Sequence, residues 1–362
     1  MGSRVVGADR PGGGNEMATA HPADSRDHDA AAGASGRLRE LLAFLRVGQL
    51  PRYARRLLGL RTSRPEDFLA PLSPRESARL AGIAAAVRGA PRPPAIFIHG
   101  VLPRSGTNFL ADALALHPDV HLNPGHLWEF PLLYVAPGSL ALEHELVAMF
   151  RLNREVIERY ELLGYLASGW IADLQRRTGG RRMVLKSPHV QGIGLFRHVF
   201  PDDILLLCLR DGRDVIQSSL KTFGRWRPHS KGFTQLAWEW RHATEAILTF
   251  EAAGANAYPR AMVVRYEDLV GRPEETMCII LRHAGLDPGR YDHAALARLP
   301  VRGSSAIPSA DGGRWREPQD KPAEFRPVGR WQGDWSAGRR RRFKAIAGEV
   351  LVRAGYAADL DW

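Results

Sequence analysis

The chain has 362 residues and a formal net charge of +11, from 50 Lys+Arg against 39 Asp+Glu. Its 44% hydrophobic and 25% charged residues are an ordinary globular composition, which excludes a mainly disordered or fibrous protein. Apolar runs such as residues 204–209 are far shorter than the ~18 residues a membrane-spanning helix needs, and we expect no secretory signal.

The only cysteines are Cys208 and Cys278, too few for a disulfide scaffold or a four-ligand zinc site. Each lies in an apolar run, where cysteine usually behaves as a small hydrophobic residue. We therefore expect reduced thiols and a cytoplasmic protein.

The N-terminal part changes character twice. Residues 1–36 hold three Arg against five acids without apolar periodicity, which predicts a disordered tail. Residues 37–64 hold eight Arg against the single acid Glu40, with a helical stripe of leucines, and we assign 37–90 to a basic helical N-terminal segment. Two interpretations fit residues 37–64: peripheral contact with an anionic membrane, or packing on the main domain.

The catalytic domain is predicted to span residues 91–362, beginning at the proline-rich joint Pro91-Arg-Pro-Pro94. Four short runs have the composition of buried strands, and helical patterns lie between them. This alternation predicts an α/β protein with a parallel sheet. The strand candidates are residues 95–99, 183–185, 204–209 and 261–264.

A glycine-containing loop, Gly100-Val-Leu-Pro-Arg-Ser-Gly-Thr-Asn108, lies between the first strand and a predicted helix over residues 109–116. A loop that turns into a helix N-terminus presents backbone amides and the positive end of the helix dipole, which suits phosphate. It is not an ATP or GTP loop of the Walker type, because Thr107 follows Gly106 where such a loop needs lysine.

A second motif, Leu209-Arg-Asp-Gly-Arg-Asp-Val-Ile-Gln-Ser-Ser219, follows the third strand. Arg210 at a strand end can bind a phosphate bidentately, and Ser218, two helical turns on, can donate its hydroxyl. The alternative interpretation is a structural Arg–Asp salt bridge within this motif that caps the helix.

Together these motifs resemble the sulfotransferases that use 3′-phosphoadenosine 5′-phosphosulfate (PAPS). Their phosphosulfate loop reads Pro-[Lys/Arg]-x-Gly-Thr, as residues 103–107 do, and their 3′-phosphate site has an Arg and a Ser eight residues apart. The resemblance implies a three-layer fold like that of P-loop NTPases, with a central parallel sheet flanked by helices. It implies PAPS as cosubstrate, adenosine 3′,5′-bisphosphate (PAP) as product, no metal, and cofactor-binding residues Arg104, Ser105, Gly106, Thr107, Asn108, Phe109, Arg210 and Ser218.

Three further segments fit the same family. Leu185-Lys-Ser-Pro188 resembles the element that brings a lysine, here Lys186, to the sulfonate. Residues 264–269 resemble the segment whose tyrosine, here Tyr266, lies by the adenosine. Residues 326–331 resemble the region that closes over the cofactor, which implies roles for Arg326 and Arg330. Residues 96–131 look most like protein-tyrosine sulfotransferases and bacterial sulfotransferases.

The catalytic group is expected to comprise Arg104, Lys186 and a base. Arg104 and Lys186 would stabilise the transferring sulfonate and the leaving phosphate. In the family the base follows the segment that here reads His117-Pro-Asp-Val120, and a gapless count reaches Gly125 where tyrosine-sulfating relatives have a glutamate. His126, whose imidazole is a side chain that often acts as a general base, and Glu129 both remain candidates.

The predicted reaction is in-line transfer of a sulfonate to a hydroxyl of a carbohydrate, glycolipid, peptide tyrosine or small metabolite. The first alternative is an ATP-dependent kinase with a degenerate phosphate loop, disfavoured by the missing lysine and magnesium-binding acid. The second is a basic protein that binds nucleic acid or a membrane surface, for which the usual nucleic-acid-binding signatures are absent. We expect a nucleotide and a hydroxyl acceptor as partners, and no nucleic acid. Acceptor choice is expected to depend on the loops at 127–180 and 304–324.

Some conspicuous residues have a structural interpretation. His99, His117 and His189 flank motifs, and local hydrogen bonds are expected to satisfy them. Trp238 and Trp240 are expected to pack a helix, and residues 339–342 to form a solvated helix face.

Overall fold

The structure, a computed structural model, describes residues 66–88, 91–223, 231–253, 258–300, 307–308, 315–316 and 325–362. The predicted tail and the basic stretch 37–64 lie outside these residues, and so does most of the loop at 304–324 that was expected to influence acceptor choice.

A five-stranded parallel sheet forms the middle of the fold, with the strand order β2-β3-β1-β4-β5. The central strands β1 and β4 are buried along their whole length, as expected for a parallel sheet covered on both faces. All four predicted strands are confirmed. The sequence analysis missed β2, an edge strand of three residues that is too short to show a period. The strands are β1 Ile96–Gly100, β2 Val120–Leu122, β3 Arg182–Ser187, β4 Ile204–Leu209 and β5 Ala261–Arg265.

Helices connect the strands and cover the sheet. Among the described residues no helix is both long and apolar enough to cross a membrane. A two-stranded antiparallel pair, β6 Ile307–Pro308 and β7 Trp315–Arg316, lies apart from the main sheet. The helices are α1 Glu66–Leu69, α2 Pro74–Arg88, α3 Thr107–Leu114, α4 Ala136–Met149, α5 Glu161–Arg176, α6 Phe196–Val199, α7 Gly212–Phe223, α8 Phe233–Ala252, α9 Tyr266–Gly271, α10 Pro273–His283, α11 His293–Ala297, α12 Trp331–Asp334 and α13 Ala337–Arg353.

Two hydrophobic clusters fill the spaces on the opposite faces of the sheet. Alternate residues of one strand enter different clusters, as the two-residue period of a strand requires: Phe97 belongs to one and Ile96 and Ile98 to the other. The larger cluster receives side chains from α2, α5, α6, α8 and α13, and the smaller one from α3 and α10. The result is the predicted three-layer α/β architecture, with a central parallel sheet between helices.

Two further structural expectations concern described residues. Trp240 is fully buried in the larger cluster, and Trp238 packs against its edge, as expected. Arg339, Arg341 and Arg342 are exposed on α13 as expected, whereas Arg340 is half-buried and its Nη2 donates to the Gln332 carbonyl at 2.7 Å. Helices α1 and α2 contribute Phe68 and Leu80 to the larger cluster, so this part of the N-terminal segment packs on the sheet layer.

Candidate active site

The loop after β1 is held in shape by the neighbouring strand β4. The Val101 amide donates to the Cys208 carbonyl at 3.0 Å, and the Cys208 thiol donates to the Ser105 carbonyl at 3.1 Å. The hydroxyl of Ser105, which is fully buried, accepts from the Leu102 amide at 3.0 Å and donates back to the Leu102 carbonyl. The side chain of Ser105 therefore closes the loop, and only its backbone can face a ligand.

Gly106 joins this loop to α3 with a backbone φ of +96°, a conformation that favours glycine. The ring of Tyr266 covers it so closely that a Cβ on Gly106 would lie 2.1 Å from Tyr266 Cδ2. The Leu110 amide donates to the Gly106 carbonyl at 3.1 Å, so the amides of residues 107–109 precede the helical hydrogen bonds. The side chain of Phe109 belongs to the smaller core cluster, so it can contribute only its backbone to a ligand.

Arg104 connects the two phosphate motifs. Its Nε donates to the Ser218 hydroxyl at 3.0 Å, and its carbonyl accepts from Arg210 Nη1 at 2.7 Å. These contacts bring together residues that lie more than 100 positions apart in the chain. The predicted loop site and the predicted Arg-Ser site are therefore one site.

Arg210 is buried, and its guanidinium lies 4.3 Å from the centre of the Tyr266 ring. Its Nη2 donates to the Pro327 carbonyl at 2.6 Å, whereas its buried Nε has no hydrogen-bond partner within the described part of the chain. Asp211 does not pair with it: both Asp211 oxygens bind Arg213, at 3.0 and 2.7 Å. An Arg–Asp salt bridge at the start of α7 is therefore present, as the structural alternative expected, but it joins Asp211 to Arg213 and does not involve Arg210.

The site concentrates positive charge. Burial, together with the neighbouring charges of Arg210 and Arg330, lowers the pKa of Arg104 to about 10, against the opposing effect of Tyr266. Gathering cations in a half-buried place is unfavourable unless an anion joins them. The arrangement is thus suited to a strongly anionic ligand.

Residues 325–335, which we call the C-terminal strap, lie over α7. The amides of Gly329 and Trp331 donate to the Asp214 carboxylate at 2.6 and 3.2 Å, and burial raises the pKa of Asp214. Within the strap Arg326 is exposed, and Arg330 lies 4.8 Å from the ring of Phe325. Sequence reasoning missed Asp214, although it belongs to the same Arg-Asp-Gly-Arg-Asp motif as Arg210.

Lys186, at the carboxyl end of β3, is only 4% exposed, and its Nζ has no hydrogen-bond partner within the described residues. Burial lowers its pKa, against the opposing charges of Glu129 and Asp112. Burial likewise raises the pKa of Glu129, and the charge of Lys186 opposes that change. The indole ring of Trp128 lies 5.7 Å from Lys186 Nζ. A buried ammonium and a half-buried carboxyl thus interact beneath an exposed tryptophan, and neither Asp112 nor Trp128 was foreseen.

His126 has different surroundings from Glu129, the other candidate base. It lies exposed on a turn, Pro124–His126, with a φ of +63°. The backbone after this turn leads inward, and the Phe130 amide donates to the Lys186 carbonyl at 2.7 Å. Glu129 is therefore held at the end of β3, and His126 is on the rim.

Two of the three flanking histidines are hydrogen-bonded as expected. His99 Nδ1 pairs with the His189 carbonyl at 2.8 Å, and His117 pairs with the Asp287 carbonyl and the Asp119 amide. His189 departs from the expectation: its buried Nδ1 has no partner among the described residues, and its ring stacks on Tyr134 at 4.5 Å.

The geometry defines a class of protein before any comparison. At the carboxyl edge of a parallel sheet, where ligands of such folds bind, it places an anion-binding loop, a cluster of arginines and a buried lysine beside a carboxyl group. That combination suits an enzyme that moves a charged group from a phosphorylated nucleotide. In the described part of the chain no group of three His, Cys, Asp or Glu side chains could hold a metal ion.

Comparison with known proteins identifies this class. The sequence model of the Sulfotransferase family matches residues 94–289, more than half of the chain. The chain therefore belongs to the sulfotransferase family.

Individual relatives are distant. A protein-tyrosine sulfotransferase of Drosophila melanogaster is 27% identical over 246 residues, which cover 66% of this chain and 47% of that protein. The chain thus spans about half the length of this relative. Protein-tyrosine sulfotransferase 1 of Danio rerio is 25% identical over 277 residues, covering 73% and 72%. Among solved structures, a mouse sulfotransferase complexed with PAP aligns with a TM-score of 0.43 at 15% identity, covering 79% of this chain and 92% of that one.

Proposed function

We propose that the enzyme transfers a sulfonate from PAPS to a hydroxyl of an organic acceptor and releases PAP. The observation that carries this proposal is the junction of the two phosphate motifs, in which Arg104 binds Ser218 and accepts from Arg210. A nucleotide with phosphate groups at both ends of its ribose needs two anion sites a few ångströms apart, and this junction supplies them.

Each part of the nucleotide has residues that suit it. The 5′-phosphosulfate would bind Arg104 and the start of α3, where Thr107 and Asn108 supply backbone amides and side-chain donors. The 3′-phosphate would bind Ser218 and Arg210, whose buried Nε lacks a partner in the described structure. Tyr266 offers its ring to the adenosine. Arg326 and Arg330 in the C-terminal strap would add further positive charge.

In the reaction the acceptor oxygen attacks sulfur in line with the bond from sulfur to the 5′-phosphate oxygen. The new sulfur–oxygen bond forms, the old one breaks with its electron pair going to the phosphate, and the acceptor proton passes to a base. Lys186 would stabilise the transferring sulfonate, and Arg104 the leaving phosphate. Because guanidinium stays protonated, Arg104 acts by charge and hydrogen bonding rather than as an acid. These cations do the work for which phosphoryl transfer uses magnesium, so the proposal includes no metal.

We assign the role of base to Glu129. Its raised pKa makes it a better proton acceptor than an ordinary carboxylate, and its charge interacts with Lys186, the proposed sulfonate ligand. His126 lies exposed on its turn, where a proton it took would pass to water.

Nucleotide binding is tested by thermal unfolding with PAP in the absence of magnesium. At a concentration 100 times Kd, PAP should raise the Tm by about 5 °C. Arg210→Ala removes charge-assisted hydrogen bonds to the 3′-phosphate and should weaken PAP binding about 100-fold or more. Arg272→Ala, which removes an exposed arginine paired with Asp268, is the matched control and should leave the affinity unchanged. If PAP does not raise the Tm of the wild type, the proposal is refuted.

The base is tested by the transfer of ³⁵S-sulfonate from labelled PAPS to an accepted hydroxyl. Glu129→Gln should lower kcat by about 10²- to 10⁴-fold with little change in PAP affinity. His126→Asn should cost less than tenfold. The opposite ranking would move the base to His126.

Several expectations stay predictions. A carbohydrate, glycolipid, peptide tyrosine or small metabolite as acceptor is compatible with the site. The name protein-tyrosine sulfotransferase is that of two relatives and does not identify the acceptor of this chain. The cytoplasmic location and peripheral membrane contact through residues 37–64 are checked by cell fractionation. The alternative of an ATP-dependent kinase is disfavoured, because Asp211, the nearest acid that could bind magnesium, accepts hydrogen bonds from Arg213 on both carboxylate oxygens.

A further inference from the structure

The surface beside Lys186 and Glu129 is apolar to an unusual extent. Of the fourteen large hydrophobic side chains that are exposed in the described residues, eleven lie between positions 128 and 170. Large contiguous apolar patches exposed on a protein surface commonly mark binding sites. These side chains are Trp128, Tyr134, Val135, Leu142, Met149, Phe150, Leu152, Val156, Tyr165, Leu166 and Trp170.

This surface begins at the reacting groups. Trp128, 51% exposed, covers Lys186 Nζ at 5.7 Å and is the residue immediately before Glu129. Trp170 packs against Phe130, the residue after Glu129, with ring centroids 4.9 Å apart. One exposed indole therefore directly precedes Glu129 in the chain, and a second contacts the residue that follows it.

From the same place an apolar stripe continues along α4. Tyr134 stacks on His189, three residues after Lys186, and Val135 follows it at the start of the helix. Val135, Leu142 and Met149 are seven residues apart, which places them on one helical face, and they are 51%, 55% and 72% exposed. The stripe runs about 21 Å from the rim of the active site to the end of α4. Gly138 and Glu145 lie between these residues, and Phe150 and Leu152 extend the stripe beyond the helix.

We propose that the acceptor is an amphiphile, a hydroxyl-bearing head group attached to a hydrocarbon chain, and that its chain lies on this stripe. We call this stripe the α4 stripe; it consists of Val135, Leu142, Met149, Phe150 and Leu152. The inference rests on the proposed sulfonate transfer to a hydroxyl and narrows the class of acceptor. The argument for this occupant is continuity along the chain: Tyr134, which directly precedes Val135, stacks on His189, three residues after Lys186. A hydrocarbon chain on the stripe would therefore end near the carboxyl end of β3, where Lys186 and Glu129 lie.

The aromatic rim and the α4 stripe suit different parts of such a molecule. The faces of Trp128 and Trp170 can stack on the ring of a sugar or phenol, because indole and such rings both present apolar faces. The exposed aliphatic side chains of the α4 stripe then remove methylenes from water. Each methylene so buried strengthens binding about fourfold.

The test compares two ligands with the same hydroxyl groups and different chains. Binding of n-octyl-β-D-glucoside, below its micelle-forming concentration, and of methyl-β-D-glucoside is measured by titration calorimetry on the full chain without nucleotide. Burial of only three methylenes predicts a Kd for the octyl compound about 60-fold lower. The double variant Leu142→Gln/Met149→Gln should reduce that ratio to less than about fivefold. Ile279→Gln removes an equally exposed side chain, 48% exposed on α10, and should leave the ratio unchanged.

Other occupants give other results. Equal Kd values for the two glucosides in the wild type, or a ratio that Ile279→Gln lowers as much as the double variant does, would overturn the proposal. So would self-association of the wild type in sedimentation that the double variant abolishes, because the stripe would then bind a second copy. Flotation with neutral phosphatidylcholine vesicles, without preference between the two glucosides, would assign it to a membrane surface instead.

Failure of this inference and of the proposed function can be told apart. The PAP titration is run on the same preparations, and it does not depend on the α4 stripe. A normal PAP response with no chain-length preference overturns the amphiphile and leaves sulfonate transfer standing. A chain-length preference without any effect of PAP on the Tm overturns sulfonate transfer from PAPS and leaves binding of an amphiphile standing.

Discussion

Substitution of Gly106 by alanine should damage the fold and the nucleotide site together. The residue has a φ of +96°, and an added Cβ would lie 2.1 Å from Cδ2 and 2.5 Å from Cε2 of Tyr266. That ring has little freedom to move, because it is buried and Arg210 lies against it at 4.3 Å. The loop backbone must shift instead, and it carries the amides and Arg104 that we propose to bind the nucleotide.

The cost can be estimated from two contributions. A left-handed conformation costs a residue with a Cβ about 1–2 kcal/mol, and overpacking of a filled core costs about 1–3 kcal/mol more. We therefore expect the free energy of unfolding to fall by about 2–5 kcal/mol in Gly106→Ala. PAP affinity should fall in parallel.

Urea unfolding of the full chain measures the first effect, and PAP titration the second. The double variant Gly106→Ala/Tyr266→Leu separates the contributions: the smaller side chain leaves room for the methyl group, so only the backbone cost should remain relative to Tyr266→Leu. Gly169→Ala is the matched control, because Gly169 lies exposed in α5 with no atom within 4 Å of an added Cβ. It should gain about 0.5–1 kcal/mol from better helix propensity. A Gly106→Ala protein as stable as the wild type would refute the reasoning.

Three further predictions concern buried charge. The kcat/KM of transfer should rise with pH as Glu129 loses its proton, at a pKa above the ordinary 4.5. It should fall again at alkaline pH as Lys186 loses its proton, at a pKa below the ordinary 10.5. If kcat/KM of Glu129→Gln still rises with pH in the acid range, this assignment is contradicted. Lys186→Met should lower kcat at least about 100-fold yet raise the Tm, because it removes a buried ammonium without a hydrogen-bond partner; calorimetry showing a lower Tm would contradict it. Burial lowers the pKa of His99 from 6.5 to about 4, so as the pH falls the unfolded chain is protonated before the folded one. The free energy of unfolding should therefore decrease by about 3 kcal/mol as the pH is lowered from 6.5 to 4. In His99→Gln, urea midpoints measured across that range should show a smaller fall.

The sequence predicted most of what is local in this protein. The central strands are long apolar runs, so their identity and their parallel arrangement could be inferred from composition and spacing. The loop at 100–108 and the pair Arg210 and Ser218 could be inferred because each is a short motif attached to a strand end. Strand β2 could not, because three residues at a sheet edge carry too little pattern.

The missed features of the candidate active site depend on contacts between distant segments. Asp214 holds the C-terminal strap through amides more than 110 residues away, and no spacing rule connects them. The interaction of Glu129 with Lys186 likewise arises only when the chain after β2 returns to the end of β3. Motifs therefore predicted the residues of the proposed nucleotide site and of the proposed base, whereas the interaction of Glu129 with Lys186 required the tertiary structure.

The net charge of +11 gains a specific meaning from this arrangement. Exposed arginines such as Arg272 are paired with neighbouring carboxylates and are well hydrated, so they cost the fold little and contribute little to specificity. Arg104 and Lys186 are different, because burial has already lowered their pKa values and removed much of their water. An anion that enters does not need to displace that water, so each cation binds it more strongly than an exposed one would. The same burial makes the empty site unfavourable for stability, which is why Lys186→Met is expected to raise the Tm while it abolishes most of the turnover.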